Sequence, residues 1–200
     1  DNVVTVEDNG RGLPMHWNEQ TQKYNWEMAL CQLYASGKMN SQQYTASLGL
    51  NGLGLTATQY ASAFMEVESC YGGKLYKISF KEGKPASKLS VTDSGDRPNG
   101  TKIRFQPDPK VFPELATVII PAERYVESFM RQAMLIDGLE ITFKHPSLEQ
   151  PMLIKFPGGM ASFLDDVIEK KMIASTPLFT GEDEGTDEAD KEEYKVKMRL

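Results

Sequence analysis

Short apolar runs alternate with polar turns along the first part of the chain, and their spacing predicts both strands and helices. A β-branched run at residues 3–6 stops at a glycine-rich turn, which is typical of a buried strand. Apolar residues recur at helical spacing over 25–36, and Gly37 follows as the C-terminal stop. Residues 38–48 are small and polar without a period, so we expect a mobile loop there and then a second helix over 52–63.

Four strand-like runs follow, at 64–71, 74–80, 88–92 and 101–105. The pair Gly72-Gly73 predicts a hairpin turn between the first two runs. Pro121 is predicted to open a helix to about residue 136, because a missing N–H costs least at a helix start, and a strand resumes at 139–144. Strands and helices mix without strict alternation, which predicts an α+β fold, a two-layer sandwich of a mixed sheet and helices.

The pattern restarts near residue 152 with a strand, a Pro-Gly-Gly turn at 157–159, a helix to about 171, an acidic loop at 181–193 and a last strand at 194–200. We therefore expect one domain over 1–150 and the start of a second over 151–200. A final strand with no partner after it suggests that the second domain is cut short.

The charge of the chain is concentrated in one segment. Between Glu182 and Glu193 stand eight acids and one lysine, so this segment accounts for the net charge of −6 and the remainder is close to neutral. A solvated flexible loop is favoured over an acidic partner-binding tail. No basic stripe of the kind that grips DNA phosphates is present.

Composition narrows the class of protein further. No apolar run approaches the roughly 20 residues that span a bilayer, and the N-terminus, which opens on Asp1 without Met, lacks a signal-peptide pattern, so we expect that an upstream segment was removed. Cys31 and Cys70 lie in apolar stretches, which favours two buried thiols over one bridge. His16 and His145 stand outside any zinc-binding spacing.

The sequence contains none of three common motifs for phosphate binding or nucleophilic catalysis. The run at 49–54 (GLNGLG) has the dinucleotide spacing reversed, and 95–102 (GDRPNGTK) transposes the Thr and Lys of a P-loop and leads into a strand. A GxSxG elbow does not occur. Two glycine-rich turns remain: 8–14 (DNGRGLP), with a carboxylate at a strand end, and 49–54, whose glycines lead into a helix start able to receive phosphate oxygens.

The order of these turns carries a family resemblance. DNGRGLP at 8–14, ASGK at 35–38, GxxGxG at 49–54 and GTKIRFQPD at 100–108 resemble the Bergerat (GHKL) ATP-binding fold, and specifically the bacterial type II DNA topoisomerase B subunits, gyrase B and topoisomerase IV B. PGG at 157–159 is similar to the start of their transducer domain, a ribosomal S5 domain 2-like fold.

The resemblance implies a set of nucleotide-binding residues. These are Asp8, Gly10, Arg11, Gly12, Leu13, Pro14, Gly37, Lys38, Tyr44, Leu50, Asn51, Gly52, Leu53, Gly54, Leu55 and Thr101. Asp8, an ordered water and the Thr101 hydroxyl would bind the adenine amino group. Arg11 and Pro14 would flank the pocket, where ATP-competitive inhibitors such as aminocoumarins also bind.

In the same resemblance Lys38 and Tyr44 belong to a lid, and Asn51 with the amides of 52–55 cradles the phosphates. Two positions depart from the family pattern. Asn51 replaces the usual His and can still donate a hydrogen bond, whereas Tyr71 stands where many members carry an Arg that contacts coumarins.

The implied cofactors are ATP and Mg²⁺, and the implied partners are a second B subunit, the DNA-cleaving A subunit and double-stranded DNA, in the cytoplasm and not at a membrane. The general-base Glu and the magnesium-ligating Asn are expected upstream of Asp1, so we expect no catalytic or metal residue in this chain and no useful hydrolysis by it alone. A MutL- or chaperone-like ATPase and a non-catalytic nucleotide- or inhibitor-binding module stay open as alternatives.

Overall fold

The computed structural model describes residues 2–33 and 53–163 in full, and 180–186 and 193–199 as backbone strands. Its contacts divide the chain into two units, Asp1–Ile120 and Pro121–Leu200. The boundary expected after residue 150 lies within the second unit, so the assignment of 1–150 and 151–200 to two named domains stays a prediction. The α+β class is confirmed.

The first unit is built on one antiparallel sheet. Its elements are β1 (Val4–Asp8), β2 (Trp17–Asn18), β3 (Lys23–Tyr24), α1 (Asn25–Cys31), α2 (Gly54–Tyr60), β4 (Ser62–Tyr71), β5 (Lys74–Lys81), β6 (Lys84–Pro85), β7 (Ser90–Asp93), β8 (Gly100–Pro107) and a 3-10 helix at Pro113–Ala116. The strand order is β1-β8-β4-β5-β6, with β7 also paired to β5. Every pairing in the described part is antiparallel, where a mixed sheet was expected.

Alternation along the strands gives the sheet one apolar face. On β4, Met65 and Val67 are buried while Glu66 between them is exposed, because successive side chains point to opposite faces. The apolar face packs against Leu30 of α1 and, with Met15, forms the core of this unit. Leu55 of α2 packs against the same cluster, so both helices cover the same side of the sheet.

The two helices are also joined to each other. Thr56 of α2 is fully buried, and its hydroxyl lies 3.2 Å from the carbonyl oxygen of Gln32, just past the end of α1. A polar group in this position satisfies an end carbonyl of α1 that has no partner within the helix. The contact fixes the start of α2 beside the end of α1.

The second unit contains α3 (Ala122–Leu135), the hairpin β9 (Glu140–Phe143) with β10 (Met152–Lys155), a helical segment at 160–163, and the antiparallel pair β11 (Thr180–Thr186) and β12 (Glu193–Arg199). Its core gathers Ala122, Ala133, Phe143 and Ile154. No helix among the described residues is long and apolar enough to cross a membrane.

Several expectations about single elements need correction. The run at 3–6 is not buried: Val6 is 56% exposed, because β1 lies at the edge of the described sheet and β-branched residues suit a pleated edge as well as a core. The second helix ends at Tyr60, since β4 already begins at Ser62. The acidic loop at 181–193 is partly strand: 180–186 pairs with 193–199.

Other expectations are confirmed or lie outside the described residues. Gly72 and Gly73 both have positive φ, 59° and 74°, in the hairpin between β4 and β5. Pro121 precedes α3 directly as its N-cap. The helix predicted over 25–36 is wrong in its length: α1 ends at Cys31, because Gln32 already has extended backbone, with φ −117° and ψ 131°. The predicted stop at Gly37 and the loop at 38–48 lie outside the described residues.

Candidate functional site

The candidate site begins where β1 ends, at residues 8–14, referred to below as the Asp8 turn. Asp8 is paired with Thr101 of β8, and Thr101 is paired with Ser69 of β4. Directly opposite residues of an antiparallel pair share a face of the sheet. These three polar residues therefore form one row across three strands, at the end of the apolar face.

The carboxylate of Asp8 is held by its own turn and by β8. Its Oδ1 atom accepts hydrogen bonds from the backbone N–H of Gly10 at 2.8 Å and of Thr101 at 3.3 Å. Its Oδ2 atom accepts none from the described residues, and the side chain is exposed. An oriented carboxylate with one unused oxygen can accept a hydrogen bond from a ligand's amino group.

Two glycines let backbone strands approach this turn closely. Gly12 has φ +80°, and a Cβ built on it would lie 2.1 Å from the carbonyl oxygen of Cys70. A Cβ on Gly100 would lie 2.3 Å from the carbonyl oxygen of Asp8. Neither position has room for a side chain, so these glycines are required for the turn to lie against β4 and β8.

The middle of the turn is attached to β4 by Ser69, which sequence reasoning did not identify. The Ser69 hydroxyl accepts from the Leu13 N–H and donates to the Leu13 carbonyl oxygen, each at 2.8 Å. Met15, two residues on, is fully buried and anchors the end of the turn in the core. The only sequence signal was a serine at an inward-facing position between Val67 and Tyr71.

An aromatic pair lies just beyond the turn. The rings of His16 and Tyr71 stack with centroids 5.8 Å apart and an angle of 18° between their planes. The carbonyl oxygen of His16 accepts from the N–H of Asn25, at the first residue of α1. Tyr71, the position that departs from the family pattern, therefore has a stacking partner beside the candidate site.

The structure brings together only part of the predicted set. Asp8, Thr101 and the turn from Gly10 to Pro14 lie at one end of the sheet, and Arg11 is exposed at the tip of that turn. Leu53 precedes α2, and Gly54 and Leu55 are in its first turn. The remaining predicted residues, Gly37, Lys38, Tyr44, Leu50, Asn51 and Gly52, lie outside the described residues.

The described residues offer no metal centre. They contain no group of three or more His, Cys, Asp or Glu side chains placed to hold an ion. Acidic side chains on the polar face of the sheet are instead paired with bases, such as Glu7 with Lys102 at 3.2 Å and Glu66 with Arg104 at 3.0 Å. No residue of this site is therefore assigned to Mg²⁺.

The architecture defines the class of protein. A sheet whose edge strand ends in an Asp-bearing glycine turn, covered on one face by helices, matches the fold of the 43K ATPase domain of Thermus thermophilus gyrase B in complex with an aminocoumarin. The match has a TM-score of 0.70 at 24% identity and covers 93% of this chain and 45% of that one. The ATP-binding domain of Francisella tularensis topoisomerase IV, in complex with a small-molecule inhibitor, matches with a TM-score of 0.65 at 22% identity, over 93% and 47% of the two chains. The chain thus has the α+β fold of these ATPase domains, the Bergerat type.

Sequence relatives narrow this class to a family. The DNA gyrase B protein of Thermotoga maritima is 33% identical over 195 residues, which cover 92% of this chain and 30% of the relative. The DNA topoisomerase 4 B protein of Francisella tularensis is 28% identical over 179 residues, covering 89% and 28%. No family model matches the chain. The chain belongs to the family of bacterial type II topoisomerase B subunits, and it spans about 30% of the length of the curated relatives it matches.

Proposed function

We propose that the Asp8 turn, with Thr101, is the adenine-binding half of an ATP site. The observation that carries the proposal is the Asp8 carboxylate, whose Oδ1 is held by two backbone N–H groups while its Oδ2 accepts no hydrogen bond from the described residues. Adenine carries an exocyclic amine that donates to such an oxygen. Gly10 and Gly12 offer backbone without side chains, against which a planar base can lie.

The phosphate half of the site is proposed from the family resemblance. Asn51 and the amides of 52–55 would bind the phosphates, and Lys38 and Tyr44 would close over them. Mg²⁺ would accompany the phosphates and reduce their charge repulsion. The described residues offer the metal no cluster of ligands, so its coordination is not assigned to them.

The function of the whole protein follows as a further part of the proposal. ATP binding and hydrolysis would drive closure of a gate between two B subunits and passage of a DNA duplex, together with the A subunit, in the cytoplasm. Curated relatives named gyrase B and topoisomerase 4 B support this over a MutL- or chaperone-like role. Supercoiling and decatenation assays on the complete enzyme would distinguish a gyrase from a topoisomerase IV.

A second proposed function is binding of ATP-competitive inhibitors at the same turn. It is favoured because the two solved structures described above contain ligands, an aminocoumarin in one and a small-molecule inhibitor in the other. In this chain Tyr71, stacked on His16, would present an aromatic face to the outer part of such a molecule. Displacement of a fluorescent ATP analogue by an aminocoumarin tests this. Unchanged fluorescence at saturating inhibitor would reject it.

The decisive experiment is calorimetric titration of a non-hydrolysable ATP analogue into the full-length protein and its Asp8→Asn variant. Because two N–H groups converge on the Oδ1 position, the variant keeps its amide oxygen there and presents an NH₂ group to the ligand. An acceptor is replaced by a donor facing the adenine amine. Loss of a hydrogen bond to a charged group costs about 1.5–3 kcal/mol, so we expect roughly ten- to hundredfold weaker binding.

Glu7→Gln is the matched control for this titration. Glu7 precedes Asp8 on the same strand, and its carboxylate pairs with Lys102 on the polar face of the sheet. Both substitutions remove one negative charge, but only Asp8→Asn changes the proposed contact. Equal affinity of Asp8→Asn and the unmodified protein would reject the adenine site.

A further inference from the structure

We infer that Ser69 is a positioning residue, which holds the Asp8 turn in the conformation that receives the nucleotide. The inference rests on the proposed function but concerns a residue that contacts no ligand. Ser69 is fully buried in β4, and its hydroxyl bonds both backbone groups of Leu13. We expect its removal to weaken nucleotide binding by releasing the turn, not by removing a contact to ATP.

The hydroxyl of Ser69 forms its hydrogen bonds with the backbone of Leu13. A serine hydroxyl has one donor and two acceptor positions, and here the donor goes to the Leu13 carbonyl oxygen and an acceptor to the Leu13 N–H, both at 2.8 Å. The two residues are 56 positions apart in the chain. One side chain thus does what a pair of ladder hydrogen bonds would do between β4 and a segment that is not a strand.

Ser69 is also connected to the proposed adenine contact through the sheet. It is opposite Thr101, whose N–H reaches the Asp8 carboxylate. The adjacent carbonyl oxygen of Cys70 lies against Gly12. The start of the turn is therefore held by β8 and its middle by β4, and Asp8 is oriented between these two attachments.

Replacement of Ser69 by alanine would leave the N–H and the carbonyl of Leu13 without their partner. A half-buried peptide group without a hydrogen bond is costly, so the turn is expected to move toward water. Movement of Leu13 would carry Gly10 and Gly12 with it, and the site would then have to be ordered by the ligand. In the unmodified protein the turn is ordered before the ligand binds. In the variant the free energy needed to order it would reduce the affinity for the nucleotide.

The test compares three variants of the full-length protein, Ser69→Ala, Ser69→Thr and Ser62→Ala. Ser62 is the matched control, because it is a buried serine on the same strand whose hydroxyl donates to the Thr58 carbonyl oxygen, at the end of β4 remote from the turn. Affinity for a non-hydrolysable ATP analogue is measured by calorimetry, and stability by urea denaturation. Hydrogen exchange of the Leu13 amide is followed without nucleotide.

We expect Ser69→Ala to weaken analogue binding about tenfold and to speed exchange at Leu13 by at least about tenfold, since one buried hydrogen-bond pair is lost. Ser69→Thr retains a hydroxyl and should restore most of the affinity. Ser62→Ala should lower stability by a similar amount and leave both the affinity and Leu13 exchange unchanged. A merely structural serine would move only the stability.

Two results would overturn the inference. The first is wild-type affinity in Ser69→Ala together with a loss in Asp8→Asn, which would leave the adenine site standing and remove only the role of Ser69. The second is unprotected exchange of the Leu13 amide in the unmodified protein, which requires no variant to fold. Loss of affinity in neither variant would instead reject the adenine site itself.

Discussion

Substitution of Gly12 by alanine is the most demanding test of how the Asp8 turn lies against the sheet. Gly12 has φ +80°, in the left-handed region that side chains with a Cβ rarely adopt. Its built Cβ would lie 2.1 Å from the carbonyl oxygen and 2.9 Å from the carbonyl carbon of Cys70. The obstacle is backbone of a central strand, which cannot rotate away as a flexible side chain would.

The magnitude has two parts. The left-handed conformation costs an alanine about 1 kcal/mol relative to glycine. A Cβ atom essentially never lies within 3.0 Å of a non-bonded heavy atom, so the turn or β4 must also shift by most of an ångström. Strain of this kind costs about 1–3 kcal/mol. We therefore expect Gly12→Ala to lower the free energy of unfolding by about 2–4 kcal/mol and to displace the turn.

Gly95→Ala separates these two parts. Gly95 belongs to the same unit and has φ +58°, but nothing lies within 4 Å of its built Cβ. The stabilities of the two variants are compared by urea denaturation, with the same dependence of the unfolding free energy on urea concentration for both. Their affinities for an ATP analogue are compared by calorimetry. Gly95→Ala should cost about 1 kcal/mol or less and bind normally. If Gly12→Ala costs no more than Gly95→Ala, the close approach of Cys70 to the turn is wrong.

Three further results are expected. The hydrogen bond from Lys110 holds the pKa of Glu82 below its usual range. The pair therefore stabilises the fold at pH values above the usual carboxylate pKa, and this contribution is lost as the pH falls through the lowered pKa. NMR titration should find a lowered pKa for Glu82 in the unmodified protein and a pKa closer to the usual value in Lys110→Ala. Burial raises the pKa of the Cys31 thiol, so its alkylation, followed by mass spectrometry, should be slow at neutral pH and accelerate only in alkaline solution. Asn2→Ala removes two 2.8 Å hydrogen bonds to carbonyls of the segment 113–119, whose amide exchange should increase; unchanged exchange there would contradict the contact.

Local patterns predicted the parts of the fold that are decided locally. The hairpin at Gly72-Gly73 follows from two glycines that both adopt positive φ between alternating strands. The start of α3 at Pro121 follows from the fixed φ of proline. The position of Asp8 at the end of β1 was also predictable, because the β-branched run stops at the glycine-rich turn.

Other features depend on partners far away in the chain, and local patterns do not contain them. The run at 3–6 has the composition of a buried strand, but its exposure is set by its place at the edge of the described sheet. The short strands at Trp17 and Tyr24 were missed, because two residues each give no period. Ser69 looks like a single polar residue in a strand until its partner, Leu13, is known.

The register of the sheet links the candidate site to the core. Asp8, Thr101 and Ser69 are the last row of the apolar face, whereas Glu7 and Lys102, one position away on the same strands, form an exposed ion pair on the other face. A slip of one residue between β1 and β8 would exchange these faces. On β1 it would turn Val4 and Val6 to the polar face and move the carboxylate away from the Thr101 N–H, whereas the Gly10 N–H, in the same turn, would move with Asp8. Exposed pairs such as Glu7 with Lys102 contribute little to stability. Buried residues of the apolar face lie on β4, and Asp8 is oriented through Thr101, which is paired with the buried Ser69 of that strand.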